Sequence, residues 1–314
     1  MSAAAPPPPV LRWPYRYYNL RYPGGGPSIL LRHPRGYTAE ILFYGAQVIS
    51  WKNQHGEELL FLSTEAIYER PHPIRGGIPI CFPKFSNNAN IEDNGFARTR
   101  FWRTEGLTYY YDPNFPPPSR DNAFVDFILD DMPDDFPDWP NHSFELHLRV
   151  ILGPTGDLTM ISRVKNINAN GEPFSFKFAY QTYFSVSNIR ATQIEGLETM
   201  KYRDYLQDGG RFTEGANPIS FQNEVDRAYL NTRDDISVAD LDRLRTFTIH
   251  KNASLTDIGV WNPWEDGAMH AADLGDEEYR QMVLVGAAAV RKEVTLMPFR
   301  EWTGTQRLSV VELD

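Results

Sequence analysis

The chain is acidic and has an ordinary apolar content. Its 314 residues include 31 lysines and arginines against 41 aspartates and glutamates, which gives a formal net charge of −10, and 41% of them are hydrophobic. The negative charge argues against nucleic acid or an anionic membrane as the main partner, and the apolar share is sufficient for a packed core.

Two further features bound the class of protein. Charges or prolines interrupt every apolar run before the roughly 18 residues that a membrane span needs. The single cysteine, Cys81, excludes an internal disulfide framework and a cysteine-rich metal site. We therefore expect a soluble protein of a reducing compartment, with the cytoplasm as the first choice.

The N-terminal residues differ from the rest of the chain. Residues 1–27 are rich in proline, arginine and glycine, and the first 39 residues contain no acidic side chain. This bias partly resembles an organelle transit peptide but lacks its serine richness, so a plastid or other organelle stays open. We predict an irregular lead-in over 1–27 and a folded domain over 28–314.

From Ser28 onward the apolar residues recur mostly with period two, which predicts short β-strands separated by turns. The clearest run is Phe174 to Phe184, where Phe174, Phe176 and Phe178 share one face. The expected strands are Ser28–Arg32, Thr38–Tyr44, Val48–Lys52, Glu58–Leu62, Phe144–Arg149, Phe174–Phe184, Thr246–His250, Asp257–Asn262, Met282–Ala288, Glu293–Leu296 and Leu308–Leu313.

Helix signals are scarce. The best helix candidate, Val238–Arg245, has a poor apolar stripe and is expected to form one turn at most. Two proline-rich stretches, Asp112–Ser119 and Met132–Pro140, suit either domain linkers or surface loops, and β runs of the same character lie on both sides of them. We predict an all-β protein with one large antiparallel β-sandwich domain.

Common cofactor and metal motifs are missing from the sequence. None of the seven histidines forms a closely spaced His/Asp/Glu pair of the usual ligand type on a recognisable helix or strand, and the chain has no Gly-x-Ser-x-Gly elbow, Walker loop or dinucleotide fingerprint. We therefore expect no metal and no cofactor.

The most distinctive segment runs from Arg75 to Ser86 and is followed by Asn94-Gly95-Phe96-Ala97-Arg98. Glycines and prolines favour a tight, irregular backbone, and Arg75 and Arg98 offer fork-shaped donors that suit phosphate. From spacing alone, a structural loop whose arginines cap carbonyls or pair with surface acids is the more usual explanation of such a segment.

Several motifs together resemble the glucose-6-phosphate 1-epimerase family, the hexose-6-phosphate mutarotases of the aldose 1-epimerase superfamily, and most of all its plant members. The resemblance covers Ser28 to the C-terminus in order. Its motifs are Arg75 to Phe85, Asn94 to Trp102, Phe178 to Phe184, Glu195 to Met200, Val260 to Trp264 and Met282 to Ala288.

This resemblance implies a galactose-mutarotase-like β-supersandwich that interconverts the α and β anomers of a hexose 6-phosphate such as glucose 6-phosphate. In the family, a glutamate removes the C1 hydroxyl proton and a histidine protonates the ring oxygen, so that the ring opens and recloses. The resemblance assigns phosphate and sugar binding to Arg75 and Arg98, and the binding of sugar hydroxyls to Asp204.

The catalytic positions depart from the family pattern. Gln181 stands where the family has its histidine, and Gly286 stands where it has its glutamate. Asp93, next to the anion-binding motif, is a further departure, and its negative charge would weaken phosphate binding unless it turned away. Alternation along the strand directs Gln181 into the groove. We expect sugar-phosphate binding to be partly retained and catalysis to be weakened or lost, which makes the chain a possible pseudoenzyme.

Other interpretations remain open at this point. Glu265 or Asp266 could substitute as a base, and His270 or His72 could substitute as an acid. Trp51, Trp102, Trp261 and Trp264 could stack on sugar, although core packing is the default for tryptophan. A protein of another class, a non-catalytic scaffold that contacts a protein partner through the arginine-rich lead-in, fits the composition as well.

Overall fold

The computed structural model describes residues 18–21, 26–85, 94–104, 118–130 and 142–312. Asp93, most of the lead-in, the stretch Met132–Pro140 and all but the end of Asp112–Ser119 lie outside these ranges.

The described residues form 21 strands and one short α-helix. The first eleven strands are β1 (Tyr18–Arg21), β2 (Ser28–Arg32), β3 (Thr38–Leu42), β4 (Val48–Lys52), β5 (Ile80–Cys81), β6 (Arg103–Thr104), β7 (Ala123–Asp130), β8 (Phe144–Leu152), β9 (Leu158–Asn166), β10 (Phe174–Tyr180) and β11 (Tyr183–Ser185). The others are β12 (Thr192–Glu195), β13 (Lys201–Asp204), β14 (Gly210–Thr213), β15 (Ile219–Ser220), β16 (Val225–Tyr229), β17 (Asp235–Asp240), β18 (Arg245–Lys251), β19 (Asp257–Asn262), β20 (Met282–Leu296) and β21 (Glu301–Glu312). The helix is α1 (Trp264–Met269), and 3₁₀ turns cover Ala97–Thr99, Ile189–Ala191, Tyr205–Gln207, Leu241–Arg243 and Glu278–Gln281.

Within the described ranges the strands form three antiparallel sheets. The first has the order β1-β2-β3-β4. The second, of eight strands, has the order β14-β13-β16-β19-β20-β10-β5, with β11 also paired to β20. The third, of nine strands, has the order β15-β12-β17-β18-β21-β9-β8-β7-β6. The prediction of an all-β, single-domain sandwich is confirmed.

Most of the predicted strands are present. Three have the predicted bounds, namely Ser28–Arg32, Val48–Lys52 and Asp257–Asn262. Glu58–Leu62 makes only isolated bridges and is not a regular strand. Tyr18–Arg21 lies in the predicted irregular lead-in but pairs with Ser28–Arg32.

The helix candidate at Val238–Arg245 amounts to a single 3₁₀ turn, as expected from its poor apolar stripe. The segment holds the end of β17, a 3₁₀ turn and the first residue of β18. Ile236 and Val238 are fully buried at alternate positions, as on a strand, and Leu244 closes the turn with a φ of 50°. Tertiary burial on a strand outweighs a weak helical pattern here. The helix Trp264–Met269 was not predicted.

One face of the eight-stranded sheet packs against the nine-stranded sheet through large aromatic side chains. Phe174, Phe176, Phe178 and Tyr180 are buried at alternate positions of β10, which confirms the period-two prediction. The Phe178 ring lies 5.0 Å from the Trp302 ring of the facing sheet, measured between centroids. These contacts form the core of the sandwich and fix the orientation of β10.

The opposite face of the eight-stranded sheet carries small side chains. Cys81, Ala179, Ala228 and Ala288 are buried together there, as a cluster separate from the main core. Small residues at the centre of a sheet leave room above it, and the loops around them form the walls of a cavity.

No helix among the described residues is long and apolar enough to cross a membrane.

Candidate functional site

A cavity of about 650 Å³ lies over this small-residue face. Its floor includes Ala179, Gly259, Gly286 and Ala288, and both arginines of the distinctive segment line its walls. A volume of this size is typical of a small-molecule site. The sequence-predicted residues Arg75, Arg98, Gln181 and Gly286 therefore come together at one place, although they are far apart along the chain.

Arg75 is held by a backbone that only glycine permits. Gly77, two residues later, has a φ of 62°, and a Cβ atom on it would lie 2.1 Å from the carbonyl oxygen of Val48. This close approach positions the Arg75 guanidinium, which forms a bidentate ion pair with Asp273 through bonds of 3.1 and 3.0 Å. Its third nitrogen donates to the Tyr183 hydroxyl at 3.2 Å. Arg75 thus enters the cavity already oriented.

Arg98 sits in a 3₁₀ turn and is only 8% exposed. Gly95, three residues earlier, allows the loop to pass within contact of the Phe82 carbonyl. Burial lowers the pKa of the Arg98 guanidinium, and the positive charge of Arg75 lowers it further. The side chains of Cys81, Tyr183 and Asp273 act in the opposite direction but do not outweigh burial. Arginine still remains charged at neutral pH. A bound anion would relieve the repulsion between the two guanidinium groups.

Gln181 follows the last residue of β10 and lines the cavity, in the direction predicted from alternation. Its backbone N–H donates to the Pro79 carbonyl at 3.0 Å. Its side-chain oxygen lies 3.4 Å from an Arg98 nitrogen. The amide is therefore fixed beside a cation and offers hydrogen bonds to a ligand, but it does not exchange protons near neutral pH.

Gly286 lies in the middle of β20, opposite Gly259 of β19. A Cβ atom on Gly286 would lie 1.9 Å from the carbonyl oxygen of Tyr180 and 3.2 Å from the Cα atom of Gln181. A Cβ atom on Gly259 would meet nothing closer than 3.9 Å. The main chain at the end of β10 therefore fills the space that a side chain at position 286 would need.

The structure does not place Asp204 on the cavity wall. This side chain is 3% exposed, and one of its oxygens accepts a hydrogen bond from the Leu206 N–H and so caps a 3₁₀ turn. The other accepts from Gln207 and lies 3.5 Å from the Nε of Arg227, which does line the cavity. The predicted contact between Asp204 and sugar hydroxyls remains a prediction, as does the effect of Asp93, which lies outside the described residues.

Three carboxylates that the sequence did not single out line the cavity, namely Glu224, Asp226 and Asp273. Burial raises the pKa of Glu224, and the negative charge of Asp266 raises it further. Glu265 and Asp266 themselves are exposed and are not part of the wall. No local pattern in the sequence marks Asp273, whose arginine partner is 198 residues away along the chain.

Two histidines, His72 and His270, lie on the cavity wall, and both are exposed. The His270 ring hydrogen-bonds to the backbone oxygen of Asp266 at 2.6 Å. Of the four tryptophans considered, Trp51 and Trp102 are buried core residues, whereas Trp261 lines the cavity below the Arg75 guanidinium. Among the described residues no group of three or more His, Cys, Asp or Glu side chains has an arrangement that would hold a metal ion.

Glu278 connects the two loops that carry Arg75 and its carboxylate partner. Its carboxylate accepts from the Ser63 hydroxyl at 2.7 Å, from both the N–H and the hydroxyl of Thr64 at 2.8 Å, and from the Gly275 N–H at 2.8 Å. The Ser63 N–H in turn donates to the carbonyl of Arg75 at 3.2 Å. Burial acts to raise the pKa of Glu278, but these hydrogen bonds outweigh it and the net pKa is lowered.

A glutamine at position 278 should therefore destabilise the protein in a pH-dependent way. A carboxyl group with a lowered folded-state pKa stabilises the fold above its ordinary value of 4.5 and loses that contribution as the pH falls through the folded-state pKa. We expect Glu278→Gln to lower the free energy of unfolding by about 1 kcal/mol at pH 7, and this difference to shrink below pH 4.5.

Urea unfolding at several pH values measures the difference. The matched control is Glu277→Gln, because Glu277 pairs with Arg280 on an exposed surface, where an ion pair contributes about 0–1 kcal/mol. Equal losses for both variants, or a Glu278→Gln loss that does not change with pH, would contradict the assignment.

Comparisons with known proteins place the chain in a family. The family model described as aldose 1-epimerase matches residues 27–309. A Cenchrus ciliaris protein named "Putative glucose-6-phosphate 1-epimerase" is 48% identical over 296 residues, which cover 93% of this chain and 87% of that protein. A protein of the same name from Escherichia coli K12 is 28% identical and covers 83% of this chain and 82% of its own.

Solved structures show the same fold. The "putative mutarotase" YeaD of Salmonella typhimurium superposes with a TM-score of 0.80 at 23% identity and covers 97% of both chains. A galactose mutarotase-like protein of Clostridium acetobutylicum gives a TM-score of 0.72 at 16% identity and covers 95% of this chain and 99% of its own. The chain belongs to the aldose 1-epimerase family and, within it, to the glucose-6-phosphate 1-epimerases.

Proposed function

We propose that the protein binds a hexose 6-phosphate, such as glucose 6-phosphate, in the cavity lined by Arg75 and Arg98. The names of its relatives supply the sugar, and the two guanidinium groups supply the anion-binding chemistry. Trp261 and the amide of Gln181 complete a wall that is apolar in one part and polar in another, as sugars require. The net charge of −10 does not oppose this, because a local cluster of cations sets the potential inside the cavity.

We further propose that anomer interconversion is much weakened or lost. Positioned acid and base groups each contribute roughly 10²–10⁴-fold to a rate. Gln181 has no titratable proton, and Gly286 has no side chain. The observation that carries this proposal is the contact between Gly286 and the Tyr180 carbonyl, because it leaves no room for a carboxylate at that point.

A rebuilt acid–base pair is the main competing function. His72, His270, Glu224 and Asp226 lie on the cavity wall, and the raised pKa of Glu224 is of the kind that an acid catalyst uses. The exposed Glu265 has no such position. If the protein accelerates anomer exchange about as much as an ordinary family member does, the result would favour a rebuilt acid–base pair over binding without catalysis.

The cellular location and the domain boundary are proposals of the same kind. We keep a cytoplasmic location, with a plastid as the alternative, since the one cysteine, Cys81, is free and buried as expected in a reducing compartment. The boundary at 27/28 agrees with the start of the matched family model at residue 27.

Calorimetry with glucose 6-phosphate tests the binding proposal. We expect measurable binding of glucose 6-phosphate and weaker binding of glucose, because glucose lacks the anion that the two guanidinium groups attract. Equal affinity for both sugars would show that the arginines do not bind phosphate. An absence of binding at millimolar concentrations would instead support the scaffold interpretation, in which a protein partner uses the surface of the sandwich.

A further inference from the structure

Gln47 is a buried amide that supports the segment carrying Arg75. It lies in the turn between β3 and β4, is 0% exposed and does not line the cavity that holds Arg75 and Arg98. Its Nε2 atom donates to the carbonyl of Ile74 at 3.0 Å and to the carbonyl of Gly76 at 2.7 Å. Both N–H groups of one side chain therefore bind the residues on either side of Arg75.

The other end of the Gln47 amide carries a cost. Its Oε1 atom is buried and has no hydrogen-bond partner among the described residues. A buried acceptor without a partner loses its hydrogen bonds to water and gains none in exchange. The two donated hydrogen bonds are therefore what this side chain contributes, and both of them act on the backbone of the Arg75 segment.

This backbone needs outside partners because it is not part of a strand. Arg75 is followed by Gly76 and Gly77, which have φ values of 110° and 62°. Glycine has the widest choice of backbone conformations, so bonds from other segments are required to keep a single one. Gln47 binds the carbonyls before and after Arg75, and the Ser63 N–H donates to the carbonyl of Arg75 itself at 3.2 Å. Three successive carbonyls are thus fixed.

The Arg75 guanidinium depends on this backbone for its direction. It reaches both oxygens of Asp273 at 3.1 and 3.0 Å, the Tyr183 hydroxyl at 3.2 Å and the face of Trp261 at 5.4 Å. These partners lie on three other segments of the chain. A bidentate pair requires two N–H groups to point at two oxygens, so a shift of the Arg75 backbone would weaken the pair and loosen the cation in the cavity.

We propose that Gln47 is a positioning residue for sugar-phosphate binding and that it acts through Arg75. It keeps the segment in the conformation in which the guanidinium is already oriented, so that a ligand does not have to order it on binding. This inference rests on the proposed function, in which Arg75 contacts the bound hexose 6-phosphate.

A double-mutant cycle between Gln47→Met and Arg75→Ala, read by calorimetry with glucose 6-phosphate, tests this role. Methionine is similar in length to glutamine but has no donor. We expect Gln47→Met to weaken binding about 3- to 10-fold, the cost of ordering one long side chain. In the Arg75→Ala background, where Arg98 still attracts the anion, the same substitution should change affinity by less than about twofold, because it has no guanidinium left to position.

Hydrogen exchange at the Arg75 Nε–H, followed by NMR, tests the role without a ligand. This N–H donates to Asp273, and in Gln47→Met it should exchange with water about 3- to 10-fold faster, because the ion pair opens more often. Unchanged exchange in the folded variant would overturn the proposal. If the parent protein does not bind glucose 6-phosphate, the proposed function fails, and the exchange rate still decides whether Gln47 positions Arg75.

Asn166→Leu is the matched control. Asn166 is also 0% exposed, and its Nδ2 atom donates to the carbonyls of Glu172 and Leu296 at 3.1 and 2.9 Å, outside the cavity lining. It should lower the urea midpoint of unfolding as Gln47→Met does but leave the affinity for glucose 6-phosphate unchanged. Equal losses of affinity in both variants, or an equal loss from Gln47→Met with and without Arg75, would show that Gln47 has only a structural role.

Gln47→Glu replaces Gln47→Met if the methionine variant does not fold. Burial favours the neutral form of a carboxyl group, whose O–H can donate to one of the two carbonyls. We expect the affinity to fall and the Arg75 exchange rate to rise, each by a smaller factor than that given for Gln47→Met. Parent values in both measurements would overturn the proposal.

Discussion

Gly286→Ala should be among the most destabilising single-methyl substitutions in the protein. The added Cβ would lie 1.9 Å from the Tyr180 carbonyl oxygen, so β20 or the end of β10 must move. Tyr180 cannot yield easily, because its ring is fully buried and its hydroxyl donates to Ser162 at 2.7 Å. We expect a loss of about 3 kcal/mol in the free energy of unfolding, at the upper end of the usual range for overpacking.

Gly259→Ala is the matched control for this prediction. Gly259 pairs with Gly286 across the same sheet and lines the same cavity, but its added Cβ would be 3.9 Å from the nearest atom. We expect its free energy of unfolding to change by less than about 1 kcal/mol. Chemical denaturation of the two variants side by side measures the difference, and similar values would show that the contact at Gly286 is not tight.

The same contact bears on the recovery of catalysis. A double variant with Gln181→His and Gly286→Glu restores the side-chain types of the family pattern. We expect it to remain poorly active, because a glutamate at position 286 must first displace the main chain of Tyr180. High activity in a stably folded double variant would show that only the side chains had been lost.

Arg98→Ala should weaken glucose 6-phosphate binding by about 10- to 100-fold. Hydrogen bonds to charged groups contribute about 1.5–3 kcal/mol, and Arg98 is nine-tenths buried on the cavity wall. The loss also removes the cation against which Gln181 is oriented. Calorimetry gives the dissociation constants directly.

A matched control separates this effect from a general change of charge. Arg307→Ala removes the same side chain from an exposed site, where it pairs with Asp157. It should leave glucose 6-phosphate affinity unchanged. Because Arg98 is buried, its variant must also be checked for folding. If Arg98→Ala is folded and binds glucose 6-phosphate as the parent does, the phosphate does not contact this residue.

The sequence predicted the strands where burial alternates cleanly. β10 is the best example, because Phe174, Phe176 and Phe178 face one core and the intervening residues do not. The helix candidate at Val238–Arg245 holds only one 3₁₀ turn, because the apolar pattern there is weak and tertiary burial on strands decides the structure around it. The spacing of apolar residues predicts a strand where the strand is long. It does not predict the structure where turns and strands alternate within a few residues.

The candidate site was only partly predictable. The resemblance to a known family predicts that Arg75, Arg98, Gln181 and Gly286 share one site, and in the structure all four line the same cavity. It could not show that Asp273 is the carboxylate that orients Arg75, since no local pattern links residues 198 positions apart.

The steric role of Gly286 is equally invisible in the sequence. It depends on a carbonyl of β10, more than one hundred residues away along the chain. Distances of this kind arise only once the sheet has formed.

The central claim is that the cavity holds a hexose 6-phosphate without an effective acid–base pair. Saturation-transfer NMR on glucose 6-phosphate measures the exchange between its α and β anomers in the presence of the purified protein. We predict an exchange rate close to that of the unaided reaction at protein concentrations where calorimetry shows binding. An acceleration comparable to that of a family member with histidine and glutamate at the positions of Gln181 and Gly286 would contradict the claim.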